Sequence, residues 1–158
     1  MIYFAFVNSH LLYGVEVYAN TTTNHLSKLI TLNNKLLRVL QDVIKTYNSK
    51  LYKTYFTLPL KLLHNFQILL FIQKYVHHRS ELPAVFSTYF EENLLLHCRD
   101  TRQKTTSTRM LCSLKLEKKT VKYRGSKLWN NLPDDLKNTT SLLSFKYRLK
   151  SYLLHTIE

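Results

Sequence analysis

The residues of this chain with chemical potential are few and loosely grouped. Asp134-Asp135 and His77-His78 are adjacent pairs, Cys98 and Cys112 are the only cysteines, and Arg99, Arg102 and Arg109 lie in the run HCRDTRQKTTSTR from His97 to Arg109. Two-metal phosphoryl chemistry needs carboxylates that hold ions about 3.5 to 4 Å apart. Asp134-Asp135 follows a proline and reads instead as charge at a helix start, where carboxylates suit the positive end of the dipole. Adjacent histidines on a helix point apart, and no carboxylate or cysteine stands at ligand spacing, so His77 and His78 read as structural or solvated. Neither cysteine has the close second cysteine of a zinc knuckle, and both are expected as reduced thiols. Glycine-rich phosphate loops and serine–base pairings are absent from the sequence. The chain by itself is therefore expected not to be an enzyme and to carry no cofactor or metal. What remains is phosphate chemistry: guanidinium forks and hydroxyls suit a nucleic-acid backbone and carry no base specificity.

Charge supports that class of partner. The 158 residues carry a formal charge of +13, a field that attracts RNA, DNA or another acidic surface. From Arg99 to Lys150 there are fourteen Lys and Arg against four Asp and Glu, whereas Met1 to Cys98 holds nine against five. The candidate nucleic-acid contacts are accordingly Arg99, Arg102, Arg109, Lys118, Lys119, Lys122, Arg124 and Lys127. A solvated basic surface without a ligand has the same composition.

The elements that must position these groups are expected to be mainly helical. Hydrophobic content of 45% argues against disorder, and only two glycines argue against a turn-rich β fold. The apolar start has no basic leader and is interrupted by Asn8, Ser9, His10 and Glu16, unlike a signal peptide or membrane span. It reads as a core helix ending near Gly14 or Asn20, with Ile2, Phe6, Tyr13 and Val17, and Tyr3 and Phe4 beside them, on one broad inward face; a chain beginning within such a packed region is expected to be a fragment of something longer. Leu26, Leu29, Ile30, Leu36, Leu37, Leu40, Val43 and Ile44 then mark a long amphipathic helix with Lys28, Lys35, Arg38 and Lys45 on a basic outer face, which is either solvated or laid along a nucleic-acid backbone. A break at Leu58-Pro59 precedes a second strong helix through Leu60, Leu63, Phe66, Leu70 and Ile72 to His77, and the two are expected to form a helical hairpin. Periodicity fails across 79–110, a linker or basic loop with a short helix near Val85 to Phe90. Residues 111–158 form the last region, with a short β-hairpin over Leu111 to Tyr123 and an amphipathic helix from Ser141 to Ile157.

Within that last region, RGSKLWNNLPDDLK spans Arg124 to Lys137 and contains the only tryptophan. Gly125 permits positive φ or close backbone approach, Trp129 follows a turn later as an apolar anchor, and Pro133 suits the first residue of a short helix. The spacing predicts a bend locked onto a packed ring.

These residues resemble the C-terminal tail of non-LTR (LINE-type) retrotransposon reverse transcriptases. There a His-x-x-x-Thr-Arg element precedes Gly-x-x-x-Trp-Asn-x-Leu-Pro, followed by a helix with a Phe-Lys pair and spaced leucines. Here the matching positions are His97, Thr101 and Arg102, then Gly125, Trp129, Asn130, Leu132 and Pro133, then Phe145, Lys146 and Leu149. Tyr13-Gly14, Asn20-Thr21 and the leucine-rich helix are similar to the segment after the polymerase palm in those proteins. Val17-Tyr18-Ala19 departs from the Val-Trp-Gly type sequence common there. The resemblance implies a thumb-like helical region over 1–78 and a tail over 111–158 of an RNA-directed DNA polymerase. Its magnesium ions would belong to a palm that this sequence does not include. It also implies RNA or DNA, and the rest of the polypeptide, as partners, in the nucleus or cytoplasm and neither secreted nor in a membrane. A free-standing basic helical nucleic-acid module and a helical protein-interaction domain are the alternatives, separable by whether an aromatic-x-Asp-Asp motif lies upstream in the same frame.

Overall fold

Leucine-rich periodicity with few breakers favours helices, and the computed structural model is mainly helical, with no strand among the described residues. It describes residues 2–21, 23–42, 48–86 and 120–157. After a π-helical turn, Tyr3–Asn8, come α1 (Ser9–Leu12), α2 (Val15–Tyr18), α3 (Thr23–Leu40), α4 (Asn48–Thr54) and α5 (Leu60–His77). Two 3-10 turns, Arg79–Glu81 and Ala84–Phe86, precede α6 (Val121–Asn130), α7 (Asp134–Lys137) and α8 (Leu142–His155). The expected hairpin over Leu111 to Tyr123 is corrected at its end: Val121 to Tyr123 open α6, with Thr120 accepting a hydrogen bond from the Tyr123 amide. Its residues 111–119 lie outside the described residues, as do Val43, Ile44, Lys45, Cys98 and Cys112. The chain divides into two compact units, Met1–Gln67 with Tyr147–Glu158, and Ile68–Lys146.

In the first unit the expected inward face of the N-terminal segment holds at Tyr3, which is buried, and Phe4, which is half-buried, but fails at Ile2, Phe6, Tyr13 and Val17, which are exposed; Leu11 and Val15 are buried as well. A 3.6-residue count does not survive a π-helical turn followed by Gly14 in the left-handed region at φ 67. Tyr3 joins Leu37 and Tyr52 in a core flanked by Phe4, Val7, Leu36, Tyr55 and Ile157. Here α3 places two asparagines inward, Asn33 and Asn34. The Tyr3 hydroxyl donates to Asn33 Oδ1 at 3.2 Å, Asn33 Nδ2 donates to the Tyr52 hydroxyl at 3.3 Å, and that hydroxyl donates to Asn34 Oδ1 at 2.5 Å. Burial raises both phenols above their ordinary pKa. Two further bonds tie α4 to the end of α3: the Tyr55 hydroxyl donates to the Leu40 carbonyl at 3.0 Å, and Gln41 Nε2 to the Leu51 carbonyl at 3.1 Å.

The second unit explains the glycine and the tryptophan. Gly125 makes no bend: it lies inside α6, where an added Cβ would meet Ile72 Cδ1 at 2.8 Å and Ile68 Cγ2 at 3.4 Å. Its missing side chain lets α6 approach the second half of α5 closely. One turn on, Trp129 is 4% exposed and its ring lies 6.0 Å from that of Phe145, itself fully buried on α8. Leu132 and Leu136 are buried beside them in the chain. Pro133 caps α7 from outside rather than opening it, with its carbonyl accepting from the Leu136 amide at 3.0 Å. Because the clash at Gly125 is with the far end of a movable side chain, Gly125→Ala should stay within about 1 kcal/mol of wild type, as the propensity gain offsets the crowding. Gly125→Leu should lose about 1 to 3 kcal/mol by overpacking, both read by denaturant unfolding.

Candidate nucleic-acid interface

Helix α6 carries the described basic candidates, because the tail sequence alternates cations with the residues that pack on α5. Lys127 is exposed, while Lys122 and Arg124 are half-buried. Burial lowers the Arg124 pKa from its usual value, although a guanidinium remains charged at any physiological pH. At about 100° per residue, Arg124 and Lys127 share one side of α6 and Lys122 faces away from both. The described candidates therefore form no single patch. Arg99, Arg102, Arg109, Lys118 and Lys119, with His97 and Thr101 of the motif, lie outside the described residues.

The chemistry-bearing pairs have structural partners. His77 Nε2 lies 2.8 Å from the Lys137 carbonyl and His78 Nε2 lies 2.9 Å from the Thr140 carbonyl. A carbonyl only accepts, so each imidazole donates through Nε2. Gln73, one turn earlier on α5 and fully buried, donates Nε2 to the carbonyls of Thr139 at 3.3 Å and Thr140 at 2.9 Å. These three side chains satisfy backbone acceptors where α7 ends and before α8 begins. Asp134 Oδ1 accepts from Lys137 Nζ at 3.0 Å, and that ammonium also donates to the Asn130 carbonyl at 3.3 Å. Among the described residues, no three His, Cys, Asp or Glu side chains group as metal ligands, and no helix is long and apolar enough to cross a membrane.

No family model, curated protein or solved structure matches this chain.

The first unit carries two further surfaces, the basic face of α3 that the sequence offered and an aromatic one that it did not. On α3, Ser27, Lys28, Thr31, Leu32 and Lys35 line an open depression of about 320 Å³. Its hydroxyl protons are already used, from Ser27 to the Asn24 carbonyl and from Thr31 to the Ser27 carbonyl, which leaves Lys28 and Lys35 as the groups for an anion. The lysine spacing at i and i+7 was visible in the sequence, but nothing distinguished it from a solvated face. The second surface is aromatic. Phe56 and Tyr147 approach with ring centroids 5.8 Å apart, and Lys150 Nζ lies 4.8 Å from the Phe56 centroid and 5.6 Å from that of Phe4. No local pattern could have found it, because Phe56 follows α4 and Tyr147 lies on α8.

Proposed function

We propose that this chain is the thumb-like and tail segment of a non-LTR retrotransposon reverse transcriptase, contributing a sequence-tolerant grip on RNA or on the template–primer duplex. The observation that carries the binding role is the charge of +13, since displacing counterions from phosphates makes such a surface an effective anchor. The family assignment rests on the tail residues from His97 to Leu149. Packing of Gly125, Trp129 and Phe145 within one unit supports reading their spacing as a structural motif. In this reading α3 and α5 belong to the thumb-like region, and polymerisation with magnesium belongs to the parent's palm, so the isolated chain extends no primer. The exposed Leu32 and Val39, one heptad apart on α3, favour the protein-interaction alternative.

Filter binding against single-stranded RNA and against duplexes tests the binding role. Affinity should fall with salt, with a log–log slope of roughly −0.9 per phosphate neutralised on a DNA duplex. Replacing Arg99, Arg102 and Arg109 together should flatten that slope by about 2 to 3. An unchanged slope would move the site elsewhere, and no retention of any nucleic acid at low salt would end the proposal.

A further inference from the structure

The aromatic surface of the first unit has three properties that a core contact does not require. First, Phe56 occupies the left-handed region at φ 47, two residues after the end of α4 at Thr54. The Thr57 amide donates to the Tyr52 carbonyl at 3.0 Å and the Phe56 amide to the Lys53 carbonyl at 3.1 Å. That pair of bonds is the Schellman closure of a helix, and its left-handed residue is usually glycine. A large aromatic side chain is strained there. Second, the strained ring is not hidden: Phe56 is 37% exposed, and Tyr147, whose ring lies 5.8 Å away at a 33° tilt, is 67% exposed. Third, the sequence on either side of the rings is strongly basic. Lys50 and Lys53 precede Phe56 on α4, and Arg148 and Lys150 follow Tyr147 on α8. The stretch 48–57 contains no acidic residue, and 147–158 contains only the terminal Glu158.

We propose that Tyr147, backed by Phe56, forms a platform on which a base of single-stranded nucleic acid stacks, with Lys53 meeting the phosphates and Lys150 over the Phe56 ring adding positive charge beside it. This rests on the nucleic-acid reading above and specifies its substrate class. Flat π faces beside cations suit an unstacked base and its phosphate, whereas a duplex keeps its base faces inside and offers only its backbone. An aliphatic protein partner would gain little from two tilted rings, and an acidic one would need no rings.

The test compares a labelled homopolymeric single-stranded RNA with a duplex of matched length, by fluorescence anisotropy at fixed low salt, on the whole chain. Tyr147→Ala should weaken single-strand binding roughly 5- to 150-fold, the loss typical of one stacked base, and change duplex binding less than twofold. Tyr147→Phe should restore it by keeping the ring. Tyr147 is mostly exposed, so the Ala variant should keep the wild-type circular dichroism and melting temperature. If wild type binds both nucleic acids and Tyr147→Ala changes neither, or weakens both equally, the platform is overturned while the general binding role stands. Loss of self-association in the Ala variant with strand affinity unchanged would make the surface a contact between copies and also overturn it. If wild type binds neither nucleic acid, both proposals fall together.

Discussion

Trp129→Ala is expected to cost about 3 to 5 kcal/mol, the usual loss on truncating a buried tryptophan. The indole is 4% exposed and meets Phe145, and Gly125 lies one turn earlier against Ile68 and Ile72. A cavity there has little means of closing, because α6 already approaches α5 as closely as the glycine allows. That loss is a large share of the ~5 to 15 kcal/mol that stabilises a folded domain, and should lower the melting temperature by roughly 10 °C or more. Wild type should show blue-shifted indole fluorescence that quenchers reach poorly. A red-shifted, quencher-accessible indole together with an unchanged melting temperature in the mutant would show that the ring contributes nothing to packing.

Asn33→Leu should have the second largest effect, because it removes the link between two buried phenols. Without it the Tyr3 hydroxyl loses the acceptor Oδ1 and the Tyr52 hydroxyl loses the Nδ2 donor. Each buried polar group left short costs about 1 to 3 kcal/mol. Tyr52 retains Asn34, so the expected total is about 2 to 4 kcal/mol. Urea unfolding would measure it, and a loss under about 0.5 kcal/mol, the range of surface substitutions, would mean that the network contributes little. The same network sets an alkaline limit. Burial raises the Tyr3 and Tyr52 pKa values in the folded state, so their contribution is fully present below the unfolded tyrosine value of about 10 and is lost as pH rises through the folded values. Phenolate absorbance from these two rings should appear together with unfolding of the first unit. Its appearance while that unit remains folded would contradict their burial.

Local pattern was enough for the helical class, since leucine spacing along α3 and α8 and the break at Leu58-Pro59 are written within a few turns of chain. The net charge and the placing of Asp134 and Asp135 in a first helical turn are equally local, and α7 begins where the proline directs it. The N-terminal face was misread at Ile2 and Phe6, though not at Tyr3, because a π-helical turn changes the period without a signature in residue type. Other features depend on residues far apart in the chain. Gly125 reads as a bend until Ile72 is found 2.8 Å from where its Cβ would be. His77 and His78 read as solvated or structural until the Lys137 and Thr140 carbonyls supply their acceptors. Asn33 and Asn34 interrupt an apolar stripe for no local reason, and Tyr3 and Tyr52 supply one. Periodicity records which face of a helix avoids water. The acceptor, ring or methyl group that meets that face is chosen only when distant segments pack, and the pairing of Phe56 with Tyr147 was decided at that level.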